Sequence, residues 1–362
     1  MTSDSDQLWG PAARRGPLRD GERVQLTDHK GRMRTIQLRA GEAFHTHFGA
    51  LAHDDVIGHP DGSVVTTAIG REFLVLRPLL SDYVLGMPRG ATIVYPKDSG
   101  QIVQMGDIFD GAVVAEAGVG SGGLAMSLLG AIGPRGRLIS VERREDFAGI
   151  AKANVDAWFG GRHPAWEVHI GDLADVLPTL DVDGGVDRMV LDMLAPWENI
   201  AVAEQCLVPG GVLLAYVATA TQMSRYVEDL RASERFTEPQ AWESMVRTWH
   251  LEGLAVRPDH RMVAHTGFLV SARLLSPGTV PPDRARRPAP GAYSEEGVAG
   301  LPGVSSAEDP GSEPAPEWTA QDLGERTTSD RKVKRVVRDL RRRAAHDEAT
   351  RAEGTPGPPV GE

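Results

Sequence analysis

The stretch AEAGVGSGG, residues 115–123, runs from an apolar segment into a helical pattern. Its glycines permit backbone angles closed to other residues and let a ligand lie against bare main chain. By itself the motif is ambiguous, because Gly118, Gly120 and Gly123 also satisfy the spacing of a dinucleotide-binding fingerprint. It predicts a strand, a tight turn and a helix at the head of an α/β sheet.

Outward from that loop, residues 90–275 alternate apolar runs with amphipathic ones, the pattern of a parallel sheet with crossover helices. Strands are expected at 112–116, 137–142, 166–170, 188–191, 212–217 and 266–272, and helices at 123–132, 146–158, 198–207 and 222–232. Gly133-Pro134 should close the first helix. Open α/β sheets bind ligands at the carboxyl ends of their strands, so the residues there discriminate. LISVE ends in Glu142, able to accept from both hydroxyls of a ribose; WEVHIGD ends in Asp172, able to accept from the exocyclic amine of an adenine. VDRMVLD ends in Asp192, with Met193-Leu194-Ala195-Pro196-Trp197 after it, and Val208-Pro209-Gly210-Gly211 is expected to form a turn before the fifth strand, VLLAYVA. Glu116, just ahead of the loop, can hold the loop or a ligand's amino group. One carboxylate in such a place is commonly a helix cap. Three in this order, with the Pro-Gly-Gly turn, resemble the class I methyltransferases that use S-adenosylmethionine. A nicotinamide-dependent oxidoreductase would explain the loop and Glu142 but not Asp172, Asp192 or that turn.

At 362 residues the chain suits two domains plus a tail, with one cysteine, Cys206, and no apolar run near the roughly 20 residues that cross a bilayer. MTSDSDQLWGPAARRG has no secretory apolar core, so a cytoplasmic location and no membrane partner are expected. A small β-rich domain is expected over 1–80, with extended runs at 24–27, 35–38, 64–68 and 73–76, and the α/β domain over 81–276. Residues 277–330, rich in Pro, Gly, Ser and acids, read as a disordered linker, and 331–362 as a basic helix and tail. In RKVKRVVRDLRRRAA, Val333, Val336, Val337, Leu340 and Ala344 share one helical face, which fits a helix touching RNA or a partner, or a solubilising tail. The net charge of −11 argues against a nucleic-acid partner, but residues 11–40 carry eight basic side chains against three acids. That segment is a phosphate-facing patch or an ordinary solvated face. His45, His47, His53 and His59 lack a nearby cysteine, so no metal is expected; RNA contacts or interdomain packing suit them better.

Val94-Tyr95-Pro96-Lys97-Asp98, EAGVGSGG, LDMLAPW, AYVATATQ at 215–222 and HTGFLV at 265–270 together resemble the tRNA (adenine-58-N1)-methyltransferase family. GEAFHTHFGALAHDDVIG, FLVLRPLLSDYVLGMPRG and TEPQAWESM extend the resemblance to about residues 20–276, closest to the actinobacterial members. It implies a Rossmann-like class I domain, S-adenosylmethionine as cofactor, tRNA as partner and a homotetramer. The cofactor set so implied is Glu116, Gly118, Val119, Gly120, Ser121, Gly122, Glu142, Asp172, Leu173 and Asp192, with Asp192 also facing the methyl-transfer site and Tyr95 and Tyr216 lining the base pocket. One departure is that Val217-Ala218-Thr219 follows Tyr216 where many members have a proline. A methyltransferase for protein isoaspartate or a small molecule would leave the basic front domain unexplained. Non-catalytic RNA-binding subunits tend to lose the glycine loop and the strand-four acid, and both are intact here.

Overall fold

A computed structural model describes residues 14–47, 49–282 and 333–342. The expected linker from 283 to 330, and the tail beyond 342 with Ala344, lie outside the described residues.

The front of the chain forms β1 (Arg23–Thr27), β2 (Met33–Gln37), β3 (Ala43–Thr46), β4 (Gly49–Ala52), β5 (Ser63–Thr66) and β6 (Glu72–Leu76). Four of these make an antiparallel sheet in the order β2-β1-β6-β5, while β3 and β4 form a separate hairpin. Alternation sets its buried face: Phe73 and Val75 of β6 join Leu18, Val24, Leu26, Leu38 and Val65 in one apolar cluster, and Leu74 and Leu76 face out. His53 is buried beside it, its Nδ1 accepting from the Arg39 N–H at 3.0 Å, which is a packing role.

Two helices unforeseen in the sequence follow, α1 (Leu80–Gly86) and α2 (Pro96–Met105), the latter opened by a proline in its first turn. The α/β region then runs β7 (Val113–Ala117), α3 (Gly123–Ile132), β8 (Arg137–Glu142), α4 (Glu145–Phe159), β9 (Trp166–Ile170), α5 (Leu173–Val176) and β10 (Val186–Asp192). After these come α6 (Ile200–Cys206), β11 (Leu207–Val217), α7 (Ala220–Ala232), β12 (Gln240–Trp242), β13 (Trp249–Glu252), β14 (Ala255–Pro258) and β15 (Phe268–Arg273). The seven-stranded sheet has the order β12-β15-β11-β10-β7-β8-β9, parallel from β11 to β9 and antiparallel at β15 and β12. This is the Rossmann-like methyltransferase architecture. Val190 of β10 faces a layer with Leu128, Ile102 and Val155, whereas Met189 and Leu191 face Leu173, Ala203 and Tyr226 on the other side.

From β7 the chain winds outward through β8 and β9 on one side, and β10 and β11 build the other. The order therefore reverses between β7 and β10, and the crevice at their carboxyl ends is the natural ligand site. The expected Pro-Gly-Gly turn is instead a bulge inside β11. Leu207 already pairs with Val186 before the register shifts to Val212 and Arg188, and a Cβ on Gly211 would lie 2.8 Å from the Val208 carbonyl oxygen. The helix expected at 198–207 likewise begins as a 3-10 turn, Pro196–Asn199.

Replacing Leu129, fully buried on α3, by Ala should cost about 2–5 kcal/mol in urea denaturation. Val280→Ala, at a largely exposed position, should leave the midpoint unchanged. Equal effects would place the core elsewhere.

Candidate active site

Gly118 (φ +87), Gly120 (φ +55) and Gly122 (φ +82) all hold left-handed backbone, which glycine alone adopts freely. Their surroundings differ. A Cβ on Gly118 would stand 1.9 Å from the carbonyl oxygen of Asp192, so the ends of β7 and β10 meet at this residue. A Cβ on Gly120 would find nothing nearer than Ala91 Cβ at 3.5 Å, which leaves its outer side open. The loop is tied down from behind. Ser121 Oγ accepts from the Gly90 N–H (3.2 Å), Asn154 Nδ2 donates to the Ser121 carbonyl (3.0 Å), and the Tyr83 hydroxyl donates to the Asn154 carbonyl (3.0 Å).

Three carboxyl groups gather around this loop. Glu142, ending β8, accepts from the Gly120 N–H through Oε2 (3.0 Å) and from the Arg144 N–H through Oε1 (3.1 Å). Glu116, fully buried in β7, accepts from Ser140 Oγ at 2.6 Å, and that hydroxyl is held by Trp166 Nε1 at 2.9 Å. Its Oε1 has no protein partner. Burial, opposed by the Ser140 bond and reinforced by the charges of Asp192 and Glu142, lifts the Glu116 carboxyl to about 8. Asp192, ending β10, lies deep in the crevice but keeps some open surface; burial, and then the Glu142 charge, push it up to about 7. Carboxyls that titrate near neutrality are concentrated at functional sites. Asp172, at the head of α5, is more exposed and accepts from Arg143 Nε.

On the neighbouring strand Tyr216 stands in register with Asp192. It is only 8 % exposed, and its ring lies on Gly267, where a Cβ would come 2.4 Å from Cζ. Burial raises the phenol above its ordinary value. Tyr95, half-buried, is the residue before α2, and its carbonyl accepts from the N–H groups of Asp98 (2.8 Å) and Ser99 (2.9 Å). The loop after Asp192 is gripped by α7. Gln222 Nε2 donates to the Leu194 carbonyl (2.8 Å), and the Arg225 guanidinium lies 4.3 Å from the Trp197 ring centre. Thr219, at the departure from the family pattern noted above, caps α7 by accepting from the Gln222 N–H at 3.2 Å.

Glu116, the three glycines, Glu142, Asp192 and Tyr216 thus converge on one crevice. Val119 and Leu173, each 3 % exposed, send their side chains into the two apolar layers and leave only main chain for a ligand. Sequence reading singled out neither Asp98, Lys97 nor Thr266 individually, although all three lie inside the quoted PKD and HTG runs and hydrogen-bond together behind Tyr216. Among the described residues no cluster of His, Cys, Asp and Glu could hold a metal ion.

Two family descriptions match this chain: "TrmI-like N-terminal" over residues 16–65 and "tRNA methyltransferase complex GCD14 subunit" over residues 73–257. The chain belongs to the GCD14/TrmI family. It is 35 % identical over 255 residues to the Thermus thermophilus tRNA (adenine(58)-N(1))-methyltransferase TrmI, covering 68 % of this chain and 95 % of that protein. A Thermotoga maritima structure described as a SAM-dependent O-methyltransferase is 30 % identical with a TM-score of 0.67, over 72 % of this chain and 95 % of that one. The Aquifex aeolicus tRNA (m1A58) methyltransferase TrmI is 26 % identical with a TM-score of 0.62, over 72 % of this chain and all of that one. Within the GCD14/TrmI fold, the acids described here occupy the strand ends that face the crevice.

A folded-state carboxyl raised from 4.5 to about 8 keeps a proton that the unfolded chain has lost, so stability falls as pH rises through that window. Glu116→Gln should remove that contribution. Urea denaturation at pH 5 and pH 8.5 should show a smaller fall in the variant than in the wild type, and an equal fall would assign the proton to another group.

Proposed function

We propose that this chain is an enzyme that transfers the methyl group of S-adenosylmethionine to N1 of adenine 58 in tRNA. One observation carries the reading: at the switch point of a GCD14/TrmI sheet, an open glycine loop is bracketed by Glu142 and by the partly buried Asp192, whose carboxyl is pushed up to about 7. The kinship with the Thermus enzyme supports the choice of acceptor.

The residues suit such a cofactor. The open side of Gly120 accepts a ligand against main chain, with Gly118 and Gly122 shaping the loop. The unpartnered Oε1 of Glu116 suits an ammonium group, Glu142 the ribose hydroxyls, and Asp172 an adenine amine once it shares its bond with Arg143. When bound, S-adenosylmethionine supplies a methyl group made electrophilic by its sulfonium. N1 of adenine is a lone pair on a ring nitrogen, so no base has to create the nucleophile, and the protein's task is to orient it and exclude water. Asp192 accepts from the N6 amine and faces the positive charge that grows on the ring; a cation nearby also lowers its proton affinity, which burial had raised. Extracting the base from the tRNA fold costs a few kcal/mol. Tyr95 offers a half-buried ring to offset that, while Tyr216, more deeply buried, exposes less of its ring.

The charges of the front segment are partly spent internally. Arg32 pairs with Asp28 (2.8 Å), Arg39 with Glu42 (3.5 Å), and Arg14 stacks 3.8 Å from the Trp158 ring centre. Arg15, Lys30 and Arg34 remain exposed for phosphates. The helix at 333–342 buries Val333 and presents Lys334, Arg335, Arg338, Arg341 and Arg342 outward, a second basic surface. A homotetramer is part of the reading, supported by the bare apolar side chains of the β13–β14 hairpin: Trp249, Leu251, Leu254 and Val256 are all more than half exposed. A cytoplasmic location completes it; among the described residues no helix is long and apolar enough to cross a membrane.

The direct test is to incubate the protein with unmodified tRNA and labelled S-adenosylmethionine and map the product; label at any atom other than N1 of adenine 58 overturns the assignment. Asp192→Ala should slow single-turnover transfer roughly a hundred- to thousand-fold while tRNA affinity changes little. Binding should weaken steeply with salt, and replacing Lys30 and Arg34 together by Ala should flatten that dependence by up to about two phosphate contacts. If deletion of residues 277–362 removes the salt-dependent affinity and the double variant keeps it, the terminal helix is the clamp.

A further inference from the structure

Behind Tyr216 lies a second group of buried charges that the proposed chemistry does not use. Lys97 and Asp98, in the first turn of α2, have side chains only 5 % and 1 % exposed. Asp98 Oδ1 accepts from Lys97 Nζ (2.7 Å) and Ser244 Oγ (2.9 Å), and Oδ2 accepts from Thr266 Oγ1 (2.6 Å) and the Tyr216 hydroxyl (3.4 Å). Lys97 Nζ also donates to Thr266 Oγ1 at 2.6 Å. The five side chains come from four separate places: α2, the end of β11, the segment after β12 and the residue two before β15. Desolvating two opposite charges costs about as much as their attraction returns, and an apolar core would be at least as stabilising. What such a network does supply is one geometry.

That geometry bears on Tyr216. The ring is backed by Gly267, which has no Cβ to keep it away, and its strand register sets it beside Asp192. The hydroxyl end reaches Asp98 Oδ2 and the Thr266 hydroxyl that Asp98 itself holds. We propose that Asp98, itself fixed by Lys97, Ser244 and Thr266, is a positioning residue that locks the Tyr216 ring beside Asp192 and so sets one wall of the acceptor-base pocket. This deepens the methyl-transfer reading and rests on it for its kinetic consequence. Asp98 touches neither substrate nor cofactor in this scheme; it acts through the phenol.

Two readouts test it, one of them independent of activity. In protein labelled with 3-fluorotyrosine, the Tyr216 fluorine resonance, assigned by its loss in Tyr216→Phe, should be narrow and single in the wild type. It should broaden or split in Asp98→Asn and in Thr266→Val, and recover in Thr266→Ser, which keeps the hydroxyl. In single-turnover methylation of tRNA, Asp98→Asn should lose about tenfold to a hundredfold in rate, the scale of a misplaced contact, with cofactor and tRNA dissociation constants within about twofold of wild type. Adding Asp98→Asn to Tyr216→Phe should cost little more, because both break one link. An unchanged fluorine resonance in Asp98→Asn and Thr266→Val overturns the proposal, as do rate losses that multiply in the double variant. Should Asp98→Asn fail to fold, the Thr266→Val and Thr266→Ser pair decides by the same two readouts. A wild-type protein that leaves tRNA unmethylated sinks the functional reading, while the fluorine spectra still decide the positioning.

Discussion

Gly118 has no space for a side chain because the carbonyl of Asp192 already occupies it. The carboxyl ends of β7 and β10 are thereby drawn into contact at the point where the strand order reverses, and the acid that ends β10 cannot retreat from those of β7 and β8. Burial in the crevice, and then the neighbouring acids, disfavour ionisation there. The chain meets this unevenly. Glu142 is satisfied by two main-chain N–H groups, whereas Glu116 and Asp192 hold their protons toward neutral pH. The ties from Asn154 to the glycine loop and from Gln222 to the Leu194 carbonyl keep the two sides of the crevice from relaxing apart.

Much of this was legible in the sequence, for identifiable reasons. β8 and β9 run over the expected residues because the first is a mostly apolar run and the second alternates apolar with polar side chains, each bounded by turn signals, and α3 ends at Gly133 as its stop signal predicts. The acids that follow those strands are local features of single segments, so their order could be read. α1 and α2 were not, since Leu80–Gly86 is short and Pro96–Met105 begins within a motif read for chemistry. Nor was the bulge at Gly210 and Gly211, which exists only because Val186 claims Leu207 as partner. The Asp98 network was out of reach altogether. Its members meet across 146 and 168 residues of chain, and no periodicity records such a pairing.

Charge is the property for which the local pattern was least informative. The basic run near the start of the chain suggests an open cationic face, yet Asp28, Glu22 and Glu42 take up several of its arginines, and Arg77 reaches Glu22 from 55 residues away at 2.6 Å. Side chains counted as free in a sequence are often structural ties once folded, and only those left exposed, such as Lys30 and Arg34, contribute an external field.

Glu116 and Asp192 also make ligand binding a proton exchange. A cation seated against either carboxyl favours its ionised form, and the released proton must be taken up by whatever buffer is present. The heat of binding recorded by calorimetry then contains the buffer's own ionisation enthalpy, so the same association gives different apparent enthalpies in phosphate and in Tris. The slope of that dependence counts the protons displaced from the crevice, and so measures how far the resting site is kept neutral.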